Sequence, residues 1–113
     1  DAVFNVAHTA LLVRALLTGA WEDLRLATED RLHQPRRSPL MPGMEPLFEA
    51  ALQAGAFGVF LSGAGPTVLA LTSPDRAQSV VDAFRVEAAS QRLAGDARVI
   101  APSLEGVRIL KEE

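Results

Sequence analysis

The sequence predicts an α+β domain, with four antiparallel strands in one sheet and helices packed on one of its faces. Three observations predict it. Helical periodicity fills the chain up to residue 54 and returns at 75–91. Strand-like apolar runs come in pairs, 57–61 with 67–71 and 97–101 with 107–110, each pair separated by a short Gly- or Pro-containing turn. Helices and strands are thus grouped instead of alternating, which favours α+β over a parallel α/β sheet. So short a connection suits antiparallel neighbours, whereas a parallel crossover needs about a dozen residues.

The first helix is predicted over 1–18. Val3, Phe4, Val6, Ala7, Leu11, Leu12, Val13, Leu16 and Leu17 fall on most of its faces, so it is expected to be largely buried. Asn5, His8 and Thr9 share a polar face with Asp1. Gly19 supplies the stop. A second helix is predicted over 21–32, with Glu22 and Asp23 at its dipole-favoured start and a stripe of Trp21, Leu24, Ala27 and Leu32. Pro35, Pro39, Pro42 and Gly43 mark 33–43 as an ordered loop. A third helix is expected over 45–54, closed by Gly55. The last is expected over 75–91, with Ser73 as N-cap, Pro74 at N1, and Ala77, Val80, Val81, Phe84 and Ala88 on one face.

Composition narrows the function classes. Apolar residues make up 49% and charged residues 22% of 113 positions, as in ordinary globular domains. The formal charge of −3 gives no electrostatic reason to expect nucleic acid or an anionic membrane surface as partner. Without cysteine there are no disulfides and no thiolate metal sites, which fits a reducing, cytoplasmic setting. No apolar run approaches the roughly 20 residues of a membrane helix. The opening residues already read as helix interior, which predicts that residues 1–113 are one domain of a longer protein. The Glu112–Glu113 pair reads as solvated charge.

The informative segment is Ser62-Gly63-Ala64-Gly65-Pro66-Thr67, between two strands. Two glycines around one small residue reach backbone angles closed to other residues. Such a loop can turn several N–H groups toward an oxygen-rich ligand; it can equally be a tight turn with no ligand. It is neither a phosphate-binding loop ending in Gly-Lys-Ser/Thr nor a dinucleotide fingerprint. His8 and His33 are too few and too isolated for a metal site, and His33 reads as a helix-end residue.

The run 58–71 that contains this loop closely resembles the third motif of the GHMP small-molecule kinases. Asp1-Ala2-Val3-Phe4-Asn5-Val6 and the segment from Glu29 to Arg37 extend the resemblance to the homoserine kinase family over nearly the whole chain. The resemblance implies a ferredoxin-like C-terminal domain that holds L-homoserine. A separate N-terminal domain would supply the nucleotide loop, ATP and Mg²⁺. A loop of the Pro-x-Gly-x-Gly-Leu-Gly-Ser-Ser type is missing from this sequence.

The implied reaction is ATP-dependent phosphorylation of L-homoserine to O-phospho-L-homoserine, a step toward threonine. The chain by itself is then expected to be inactive. Arg37 aligns with the family's substrate arginine, which pairs with the homoserine carboxylate; Arg36 is one residue out of register. Gly63, Ala64 and Gly65 would lie beside the substrate, with Ser62 bonding inside the loop. Asn5 is either a structural amide or a partner of that loop. No residue reads as a catalytic base. The alternatives are another GHMP kinase, a ferredoxin-like module that binds an amino acid without chemistry, and a self-associating structural domain that forms a homodimer through an exposed apolar face.

Overall fold

A computed structural model describes residues 1–111; Glu112 and Glu113 lie outside the described residues. Helix α1 spans Ala2–Thr18 and ends on Gly19, whose φ of 70° turns the chain while its N–H reaches the Ala15 carbonyl. A single 3₁₀ turn, Trp21–Asp23, leads into α2, Leu24–Ala27. Two further short pieces follow, α3 at Gln34–Arg37 and a 3₁₀ turn at Ser38–Leu40. Helix α4 is Met44–Gln53, strands β1 and β2 are Gly58–Leu61 and Val68–Leu71, and α5 is Ala77–Ser90.

The two strands pair antiparallel, Val59 opposite Ala70 and Leu61 opposite Val68. The alternation that buries Val59 and Leu61 follows from the two-residue period of a strand. The core gathers where α4 and α5 meet this hairpin. Ala51, Val59 and Val80 are its buried centre, with Phe48, Leu52, Val68 and Phe84 packed around them. Leu24 and Ala27 bury the short second helix against β1. That approach is close, because a Cβ on Gly58 would stand 2.8 Å from the Leu24 carbonyl oxygen.

Several expectations need correction. Helix α1 is not buried: Ala15 alone among its residues is, whereas Val3 and Leu17 are 82% and 81% exposed. Its apolar side chains fall all round the cylinder, and α2 with its leading turn covers one flank. The second helix stops at Ala27, not 32. Thr28 N still closes the ladder on Leu24 O, but beyond it side chains take over: Asn5 Oδ1 accepts Arg31 N, and the Asp30 carboxylate accepts the amides of Leu32 and His33. Trp21 and Leu32 of the expected stripe are 44% and 38% exposed.

Pro35, read as a breaker, instead sits in the first turn of α3, where its missing N–H costs nothing. Residues 73–76 form a turn, with Arg76 N donating to Ser73 O at 3.1 Å, so α5 starts at Ala77 with Arg76 at the cap. Residues 97–101 and 107–110 form no strand, and the sheet has two strands among the described residues. Apolar side chains of these segments, Val99, Ile100, Val107, Ile109 and Leu110, are all exposed. A strand exists only through its partner's backbone, and here Arg85 Nη2 ties the chain to α5, at 2.8 Å from Ala97 O. The α+β class stands on the helices and the β1–β2 hairpin. No described helix is long and apolar enough to cross a membrane.

Candidate functional site

The loop between β1 and β2 closes through backbone bonds. Ser62 N donates to Thr67 O at 2.8 Å, and Gly65 N donates to Ser62 O at 3.1 Å. It is therefore the Ser62 main chain that shapes the loop. Gly63 and Gly65 adopt φ of 56° and 80°, in the left-handed region that only glycine enters freely. The two differ in surroundings. A Cβ on Gly63 would meet nothing within 4 Å, whereas one on Gly65 would fall 2.9 Å from Met41 Sδ. Ala64 sits exposed between them.

A second segment, 30–41, lies against this loop. His33 Nε2 is 3.0 Å from the Gly63 carbonyl oxygen. A carbonyl only accepts, so that ring nitrogen carries the proton. Gln34 Oε1 accepts the Leu61 N–H at 2.8 Å, binding the outer edge of β1 at the loop's base. Met41 packs beneath Gly65. The short helix α3 is thus held to both the tip and the base of the glycine loop.

Arg37 closes that helix, its N–H donating to His33 O at 3.1 Å. Its side chain is half-buried, and the Nε atom is shielded from solvent without a hydrogen-bond partner. A buried guanidinium N–H without an acceptor is costly. Arg36 is exposed. Of the two adjacent arginines, 37 is the partly enclosed position.

Asn5 is half-buried, and of its two readings the bonds it makes are those of a structural amide. Its Nδ2 donates to Asp30 Oδ1, and its Oδ1 accepts Arg31 N at 3.0 Å. It therefore braces the 30–34 turn and does not touch the glycine loop through these bonds. Asp30 also accepts from Leu32 N at 3.1 Å, from His33 N at 2.8 Å, and from Gln34 N. Burial pushes the Asp30 carboxyl up, yet the donors from Gln34, Asn5, Leu32 and His33 outweigh it and lower the pKa to about 2. Beside it the Arg31 guanidinium lies 3.8 Å from the Phe4 ring centroid. Phe4 stacks on His8 at 3.7 Å.

An open groove of about 480 Å³ runs between this turn, α2 and α4; Asp30 and Gln34 line it, Arg37 and the loop do not. Among the described residues no three His, Asp or Glu side chains converge.

Residues 11–90 match the family described as GHMP kinases C terminal. The chain belongs to that family. Among its relatives, the homoserine kinase of Synechococcus sp. is 47% identical over 99% of this chain and 37% of its own length. That of Gloeobacter violaceus is 59% identical over 74% of this chain and 28% of its own. The crystal structure of homoserine kinase from Cytophaga hutchinsonii superposes with a TM-score of 0.74 at 33% identity, covering 80% of this chain and 29% of that one. The GHMP kinase C-terminal chain therefore spans about a third of the length of the relatives it matches.

Within this GHMP kinase C-terminal domain the sequence pointed to Arg37 and residues 62–65, and the fold brings their two segments together. His33, Gln34 and Met41, which join them, and Asp30, which holds the His33 and Gln34 amides, were missed as a set. The signal available was Asp30 itself, an acid a few residues ahead of Pro35, and such a side chain captures free amides ahead of a new turn.

Proposed function

We propose that this chain is the substrate-binding C-terminal half of a homoserine kinase, which phosphorylates the hydroxyl of L-homoserine with ATP to give O-phospho-L-homoserine for threonine biosynthesis. The observation that carries this reading is the attachment of the Arg37 helix to both the tip and the base of the glycine loop, with Arg37 Nε enclosed and unpaired. Phosphoryl transfer is governed by positioning and charge stabilisation. A guanidinium grips a carboxylate in a fixed plane. Arg37 would fix the amino-acid end of homoserine, while the loop backbone, bare and open at Gly63, lets its hydroxyl come close to a phosphate held opposite.

ATP and Mg²⁺ belong, in this reading, to an N-terminal domain of the full-length protein. A domain spanning about a third of its relatives' length fits that division. The same reading completes the β1–β2 hairpin to a four-stranded, ferredoxin-like sheet in the whole enzyme, using segments 97–101 and 107–110. It also makes the enzyme cytoplasmic, and pairing of two copies through exposed apolar faces makes a homodimer. The homoserine kinase names of the relatives favour this substrate over that of another GHMP kinase.

The test is Arg37→Ala in the full-length protein. Loss of a charge-assisted pair of about 2 kcal/mol should raise the homoserine KM about 30-fold. The ATP KM should move far less. Equal KM values for homoserine in both proteins would remove Arg37 from the carboxylate site.

A further inference from the structure

We infer that Asp30 is a positioning residue that sets the Arg37 helix against the glycine loop. The inference rests on the reading of Arg37 as the homoserine carboxylate's partner. Asp30 makes no bond to Arg37; it acts on the residues between them. Its two carboxylate oxygens take the N–H groups of Leu32, His33 and Gln34 and the amide of Asn5. Those backbone groups open the turn into α3, where they would otherwise have no ladder partner. His33 and Gln34, whose amides Asp30 fixes, are the same residues that hold Gly63 O and Leu61 N with their side chains. Arg37 N then bonds back to His33 O. One carboxylate thereby fixes where α3 begins, through Asn5 anchors that start to α1, and through His33 sets the reach of α3 to the loop.

Four donors on one carboxylate also require the ionised form, since a protonated acid or an amide would present a donor to a donor. Asp30→Asn keeps the size and removes this capacity. Lost alignment of the Arg37 fork then reads out as weaker carboxylate binding, not as a slower chemical step in the molecules that do bind.

The experiment uses full-length enzyme carrying Asp30→Asn, Arg37→Ala and both. Asp30→Asn should raise the homoserine KM about tenfold, with kcat and the ATP KM changed by less than about twofold. In the Arg37→Ala background the same change should add less than about twofold, because residues acting through one group are not additive. Three results overturn the inference. The first is an unchanged homoserine KM in Asp30→Asn while Arg37→Ala raises it. The second is multiplication of the two effects. The third is a fall in kcat and melting temperature with KM untouched, the mark of a merely structural residue. Should Arg37→Ala itself leave the homoserine KM unchanged, the carboxylate-partner reading fails, and this inference with it. If Asp30→Asn gives no cooperative melt, Asn5→Ala replaces it. That variant removes one of the four donors and must show the same selective rise in homoserine KM.

Discussion

Asp30 shows how one side chain can decide where a helix ends. Apolar spacing continues to Leu32, and by periodicity alone the second helix should run that far. A carboxylate that accepts three backbone N–H groups offers the chain a better local solution. Its effect on stability has a definite sign. The folded pKa, lowered to about 2, lies below the ordinary 3.8. The unfolded chain therefore takes up the proton first, and stabilisation present above pH 4 is lost as the pH falls toward 2. Solvent screening at this partly exposed group limits the contribution to about 1 kcal/mol. Urea unfolding of the parent and Asp30→Asn should differ by about that amount at pH 7 and converge near pH 2. A gap independent of pH would mean that the charge is not what stabilises the turn. The two loop glycines make a second comparison. Gly63→Ala should cost about 1 kcal/mol from its backbone angle alone. Gly65→Ala should cost about 2–3 kcal/mol, because its new methyl also displaces Met41. Equal losses in thermal unfolding would contradict the tight fit under Gly65.

At the level of elements, the hairpin and the three longer helices were legible: α4 and α5 from one-faced apolar periodicity, α1 from a long apolar run closed by Gly19, and the hairpin from two apolar runs around a glycine turn. The strands of the hairpin were placed within one residue, and α4 and α5 within two at each end. The segment carrying Arg36 and Arg37 reads as a loop in the sequence yet forms the short helix α3, because Pro35 suits the first turn of a helix as well as the end of one. The joints between segments were not legible. Whether Gln34 Oε1 meets Leu61 N depends on a contact 27 positions apart that no local pattern records. Element packing makes its own prediction. Leu24 is 2% exposed where α2 meets β1, so Leu24→Ala should destabilise by about 2–4 kcal/mol in denaturant titration. Leu17→Ala, on the bare flank of α1, should change the stability of the 113-residue chain by less than about 0.5 kcal/mol. Similar losses at both positions would show that α1 is covered after all.

The whole molecule places an apolar helix and an apolar C-terminal stretch at its surface. Val3, Val6, Val13, Leu16 and Leu17 on α1 join Val99, Ile100, Val107, Ile109 and Leu110 in that exposure. Contiguous apolar surface is rarely left bare in a monomer. The 113-residue chain should accordingly self-associate as its concentration rises, a shift visible in sedimentation velocity; a monomer at every concentration would count against this. Mixed with ATP, Mg²⁺ and L-homoserine, the chain alone should give no O-phospho-L-homoserine, and measurable product would refute the divided-site reading. The turn between the strands has a geometric corollary. Its Gly63 flank looks onto free space, whereas the Gly65 flank is plugged by a thioether. Close approach to the main chain is therefore open at Gly63 and obstructed by Met41 at Gly65.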